Sequence, residues 1–465
     1  LFAIVSCASI GCYLIYMLFV RQLISPYRHL PTAKQPSLWR RLFHEPTPFE
    51  LRYWMQETPN NGLVRFFGFL NQERLFITSA GTMKQVLQKD AQKYDKLPWL
   101  GNLQSAVGVS GLVSSKGDLH KLHRKVTIGA FNDLSTRILY PEIWTSILKI
   151  VTDVPKLIAD CSTIKVNLLL QLACLEISLH AGFGIDIDIL RDPQQPIAQN
   201  YLRPFQLGER SSLYMKLLHI CPVALQLPAV ALISKLMGVN VWRMRTLLIR
   251  NQDDGRTEAN ESHDIMNGLL RRGYNRLSER VLMRHLMTTM AANTEMVSNQ
   301  LSWAIYALSH PDNLHVQTRL RNEIHASFPN PPATMSWETM HCQNYLLGVV
   351  NEILRLYPNV GHRGRVVNAD TMLDNLHLSK GTILVWPVYA TNRDPRQWGP
   401  DADIFKPERW NPAESVDKET KRWNAFSFMT FGQGLRKCPG ESYTRVVMAS
   451  MLMGLIGRFE FRRPD

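Results

Sequence analysis

Ten residues near the C-terminal end constrain this chain most: Phe431-Gly432-Gln433-Gly434-Leu435-Arg436-Lys437-Cys438-Pro439-Gly440, running straight into an apolar segment from Val446 to Leu455. Glycine tolerates positive φ, so Gly434 and Gly440 are expected to turn the backbone tightly on either side of Cys438. Backbone N–H groups aimed at the sulfur, a helix starting just after it and the charge of Arg436 all favour thiolate over thiol. A thiolate in an apolar shell is a soft, electron-donating ligand of the kind that holds haem iron. The competing reading, an inert buried cysteine ahead of a helix, accounts for Cys438 but not for the glycines and cations arrayed around it.

With 45% hydrophobic and 20% charged residues the chain can bury a large core. Its cysteines (Cys7, Cys12, Cys161, Cys174, Cys221, Cys342, Cys438) form no CxxC pair and no regular spacing. That argues against a zinc site or disulfide framework and for a reducing compartment. The formal charge of +14 suits an anionic membrane surface or an acidic protein partner. No nucleic-acid motif accompanies it, so no nucleic-acid partner is expected.

Leu1 to Val20 carries no charge and would span about 30 Å as a helix, enough for a bilayer core; a buried core helix is the alternative. Arg21, Arg28, Lys34, Arg40 and Arg41 follow, which places the remainder in the cytosol by the positive-inside tendency. Pro26, Pro31 and Pro36 make a stiff, non-helical spacer. The expected organisation is a transmembrane anchor at 1–20, a basic proline-containing linker at 21–40 and a catalytic domain at 41–465.

Within that domain, Val64 to Leu70 and Arg74 to Thr78 read as a hairpin around Asn71-Gln72, and Ser79 as the cap of a helix through Leu87. Residues 95 to 116 read as loop. On the helix that follows, His120 and Arg124 lie four apart, where both could reach one anion or simply form a solvated basic face. Residues 141 to 310 are mostly helical by periodicity, with one helix ending near Gly182-Phe183-Gly184. The last helix runs from about Arg280 to His310 and is stopped by Pro311. Its stripe of Leu286, Met290, Thr294, Val297, Leu301, Ile305 and Leu308 should face the interior. Glu352 and Arg355 share a face of the helix at Asn344 to Leu356. Arg365 to Leu376 and Gly381 to Val388 read as strands.

The cysteine loop resembles that of the cytochrome P450 family, Phe-x-x-Gly-x-Arg-x-Cys-x-Gly, with Phe431, Gly434, Arg436, Cys438 and Gly440 at its specified positions. Glu352-Ile353-Leu354-Arg355 matches the family's Glu-x-x-Arg, and Pro407-Glu408-Arg409-Trp410 its Pro-Glu-Arg-Phe, with tryptophan in place of the usual phenylalanine. The resemblance covers about residues 40 to 465 and is closest in style to fungal secondary-metabolite members of the microsomal class. It implies a mainly α fold with small β-sheets, and haem b with Cys438 as axial thiolate. It also implies a buried ion network of Glu352, Arg355 and Arg409 that locks the cysteine loop, and propionate binding by His120, Arg124, Arg365 and Arg436, with Arg363 as a competitor to Arg365. His120 stands where the family has tryptophan.

The family's oxygen-binding signature falls on Ala292-Asn293-Thr294-Glu295-Met296. Glycine has become Asn293 and threonine Met296, and methionine cannot donate a proton. Glu295 with Thr294 or Asn293 is the expected proton relay, although Thr294 could equally bond back within its helix. The implied activity is insertion of oxygen from O2 into an apolar small molecule, a terpenoid or polyketide. Electrons would come from NADPH through a flavoprotein reductase that docks at the endoplasmic reticulum membrane on a surface including Lys121 and Lys125. Met296 leaves two alternatives open: an O2-independent haem-thiolate isomerase or dehydratase, and a non-catalytic haem-binding relic. The chain opens at Leu1, not Met. Only 27 residues follow Cys438, where the family continues through further strands, so a fragment or a shortened chain is expected.

Overall fold

A computed structural model describes residues 11–12, 15–97, 111–158, 164–202, 265–266, 268–269, 276–328, 334–411 and 424–463. They fall into two compact units. The first comprises Leu1–Pro98, Val360–Ile404 and Thr420–Lys437, and the second Trp99–Asn359, Phe405–Glu419 and Cys438–Asp465. The architecture is mainly helical with two small sheets, as expected.

The first unit carries the strands. β1 (Leu63–Phe67) and β2 (Glu73–Ile77) pair antiparallel, Leu63 opposite Ile77 and Phe67 opposite Glu73. Their turn sits one residue earlier than the sequence suggests, with φ of 55° and 56° at Leu70 and Asn71. Asparagine is among the few non-glycine residues that accept this region. β3 (Tyr94–Asp95) pairs with β4 (Arg363–Val367). The single strand expected from Arg365 to Leu376 is instead broken. β5 (Thr371–Leu373) and β6 (Leu376–Leu378) form a separate hairpin, because Asp374 and Asn375 take φ of 45° and 64° and turn the chain back. With β7 (Ile383–Trp386) the main sheet has the order β1-β2-β7-β4-β3, β2 and β7 being parallel.

Both faces of this sheet are covered, and alternation along each strand sorts the side chains. Leu75, Ile77, Leu384 and Trp386 enter one cluster with Tyr27 and Tyr94. Val64, Phe66, Phe76 and Val385 enter the other with Leu51, Trp54 and Met55 of α1 (Pro48–Glu57). Thr47 and Glu50 close a reciprocal capping box at the start of α1. Ser79 caps the next helix as expected, accepting from Thr82 N–H at 3.0 Å. Residues 25–37 are non-helical, and Pro31 O and Ala33 N–H pair with Arg65, so this stretch lies along β1.

The second unit contains α2 (Gly117–Ile128), α3 (Asp133–Ile158), α4 (Val166–Phe183), α5 (Glu279–Ala291), a π turn (Ala292–Met296), α6 (Val297–Leu308), α7 (Leu314–Ser327), α8 (Asn344–Leu356) and α9 (Glu441–Arg458). α4 ends at Gly184, whose φ of 67° lets its own N–H and that of Ile185 return to the last turn. Every residue of the expected interior stripe, Leu286 through Leu308, is buried. Among the described residues, Val166–Phe183 is the one helix long and apolar enough to cross a membrane. Being 67% buried, it is a core helix. Of the expected anchor, residues 1–10 and 13–14 lie outside the described residues.

Candidate functional site

In the second unit, Cys438 is half-buried three residues before the start of α9 at Glu441, a helix just after the cysteine as the sequence suggests. Gly440, however, takes φ −87°, so the tight turn expected after the cysteine does not need positive φ. A Cβ built on Gly440 meets nothing within 4 Å, so packing alone does not demand glycine there. On α2, His120 is buried and Arg124 half-buried one turn later. Burial pushes the Arg124 guanidinium down, and the negative charge of a Cys438 thiolate pushes it back up. Arg124 and the sulfur are thus close enough to stabilise each other's charge.

In the first unit, the loop up to Lys437 bends where glycines allow it. Gly434 has φ +75°, and a Cβ there would lie 1.9 Å from Leu87 O, so no other residue fits without moving backbone. Phe431 is buried with its ring edge toward Phe428. Arg436 donates to Tyr94 O at 2.8 Å and to Ala91 O at 3.1 Å, and lies 3.6 Å from Asp95. Arg363 and Arg365, two apart on β4, divide their roles. Arg363 donates to Thr430 O at 2.9 Å, whereas Arg365 sits over the Trp386 ring. Among the described residues no carboxylate lies within ion-pair distance of Arg365. Burial, then Arg436 and Arg363, press its pKa down to about 9, the state of a cation that an anion would relieve.

The expected ion network is assembled within the second unit. Glu352 and Arg355 are fully buried, and Arg355 binds the carboxylate through both Nε at 2.9 Å and Nη2 at 2.7 Å. Arg409 Nε reaches Oε1 at 2.9 Å, and the Lys406 N–H reaches it at 3.0 Å. Trp410 adds a donor that phenylalanine lacks, its indole N–H reaching Oε2 at 2.8 Å. Burial alone would raise Glu352, but Arg355 and Arg409 outweigh it and hold the carboxyl below its usual range. A buried charge is tolerable only with such a full set of partners.

The π turn spans Ala292–Met296, the stretch on which the sequence resemblance put the altered oxygen-binding signature. Thr294 is fully buried and donates to Ser178 Oγ on α4 at 3.3 Å, a contact between helices where the sequence left open a bond within its own. Glu295 accepts from Tyr201 Oη at 2.9 Å and Gln171 Nε2 at 2.7 Å, partners with no signal in the sequence. Burial and Glu295 push the Tyr201 hydroxyl well above its ordinary pKa, so it stays a donor. Asn293 is buried, whereas Met296 is 41% exposed on the opposite stripe with Ala292, Asn299, Trp303 and Tyr306. A methionine there offers that face neither proton nor hydroxyl.

A family model described as Cytochrome P450 matches residues 47–465. The chain is 30% identical to the cytochrome P450 monooxygenase sphH of Aspergillus fumigatus, over 97% of this chain and 87% of that protein. It is 28% identical to the cytochrome P450 monooxygenase FSL4 of Gibberella zeae (94% and 82%) and 29% identical to FUM15 of Gibberella moniliformis (95% and 84%).

Proposed function

The chain belongs to the cytochrome P450 family, and from that premise we propose that Cys438 is the axial ligand of its haem b and that the enzyme inserts one oxygen atom from O2 into an apolar small molecule of fungal secondary metabolism. As a member of that family it is a haem-b monooxygenase, an oxidoreductase. Haem bound through a thiolate supplies the oxygen-activating chemistry. The donor chemistry within each unit supports such a group: in the second, a cysteine thiol within electrostatic reach of Arg124, and in the first, a buried Arg365 with no carboxylate at ion-pair distance among the described residues. The observation that carries the reading is Cys438, within electrostatic reach of Arg124 and just ahead of α9.

His120, Arg124, Arg365 and Arg436 would bind the two carboxylates of the macrocycle as charge-assisted donors. Phe431 and Gly440 would shape the surroundings of the sulfur, and the Glu352, Arg355 and Arg409 network would hold the cysteine loop rigid. Glu295, with Thr294 or Asn293, would move the proton, Tyr201 and Gln171 orienting its carboxylate. Electrons would come from NADPH through a flavoprotein reductase, Lys121 and Lys125 belonging to the docking surface. The exposed Ile15, Tyr16, Phe19 and Val20 support an anchor at 1–20 in the endoplasmic reticulum membrane, which would be followed by a linker at 21–40 and the catalytic domain at 41–465.

The CO-difference spectrum of the reduced, anchored protein tests this. A red-shifted Soret band that Cys438→Ser abolishes is expected. A wild-type band of the neutral-thiol or histidine type defeats the assignment. One observation favours a second reading: Met296 at the π turn suits an O2-independent isomerase or dehydratase, for which turnover would persist without reductase and O2.

A further inference from the structure

Three contacts tie the π turn and α6 to the segment that leaves α8. Asn359 Nδ2 donates to Met296 O at 2.7 Å. Gln300 Nε2 donates to Tyr357 O at 2.7 Å, and the Trp303 ring lies flat on Tyr357 at 4.8 Å and 11°. Met296, Gln300 and Trp303 are spaced by four and three, so all three contacts leave one helix side. Gln300 is 1% exposed, and losing its carbonyl partner would strand a buried amide. A π turn is a misfit within an α-helix, kept where something offsets its cost and frequent at functional sites. Here its last carbonyl receives a side-chain amide from outside the helix.

We propose that Asn359 is a positioning residue for the oxygen chemistry. Its amide, backed by Gln300 and the Trp303–Tyr357 stack, holds the Met296 end of the π turn, supplying from outside the helix a hydrogen bond that the Met296 side chain cannot make. The inference rests on the reading of this helix as the oxygen-binding one. An amide fixes a carbonyl and orders water, but it is no acid at neutral pH, so proton movement stays with Glu295.

The holoenzyme and its Asn359→Ala and Asn359→Asp variants test this in three measurements. These are amide hydrogen exchange, the CO-difference spectrum, and peroxide released per NADPH consumed with reductase and no added substrate. One net hydrogen bond alters a local opening equilibrium by about 2- to 10-fold. Exchange at 296–301 should accelerate by that factor in both variants while α3 is unchanged. The CO band should persist, and peroxide per NADPH should rise about twofold or more. Unchanged exchange overturns the proposal. So does faster exchange with an unchanged peroxide ratio, which makes the contact structural only. Faster exchange throughout the chain with loss of the CO band in both variants also overturns it, making Asn359 a fold-stability residue. A wild type without a thiolate-type band defeats the parent reading, and the proposal with it, whatever the exchange data.

Discussion

Replacing Trp410 by phenylalanine removes one N–H from the buried ion network while keeping an aromatic ring. Glu352 Oε1 would still take Arg355, Arg409 and the Lys406 N–H, but Oε2 would keep Arg355 Nε and lose the indole at 2.8 Å. Hydrogen bonds to charged groups contribute about 1.5–3 kcal/mol. Trp410 is half-buried, and water can partly replace it, so about 1.5–2 kcal/mol is the expected loss. At about 2.1 cal/mol/K per residue, unfolding the 47–465 span carries an entropy of about 0.9 kcal/mol/K, so Tm should fall by about 2 °C. Arg355→Ala instead leaves a fully buried carboxylate without its bidentate partner. It costs about 3–5 kcal/mol, or about 3–6 °C by the same conversion, and prevents haem incorporation. Calorimetry at one fixed scan rate, with the CO-difference spectrum alongside, separates the two: Trp410→Phe keeps its band and Arg355→Ala does not. A Trp410→Phe protein that melts with the wild type, or that falls as far as Arg355→Ala, would refute the reasoning.

His285 is buried against His123, and burial first, then that neighbour, pushes its pKa down to about 4. The unfolded value is about 6.5, so this contribution to stability is complete above that pH and is lost as pH falls toward 4. Urea melts at pH 7 and pH 5 should differ by about 2 kcal/mol from this group, a difference that His285→Gln reduces; an unchanged pH slope counts against it. Gly434→Ala forces a Cβ against Leu87 O at positive φ, so the loop must shift and haem content in purified protein should drop sharply. Met296→Thr adds a hydroxyl on the exposed stripe of the π turn and should raise product formed per NADPH. No gain would favour another proton path or O2-independent chemistry.

The parts of this protein legible in its sequence are those whose information is local. Helical spacing placed Glu352 beside Arg355 and the Leu286-to-Leu308 stripe in the interior. The glycine-rich run placed Cys438 ahead of a helix, because backbone sterics and periodicity act over a few residues. Local rules also failed locally: Asp374-Asn375 turned an expected strand into a hairpin, and Gly440 did not need the positive φ that Gly434 does.

Tertiary structure alone decided which partners complete each charge. Gln171 and Tyr201 on Glu295, Ser178 on Thr294 and the indole of Trp410 on Glu352 are separated in sequence by tens of residues to more than a hundred. So is Asn359 on the Met296 carbonyl. No periodicity links them; burial does, since a polar group removed from water must take whatever donor the packing brings within reach.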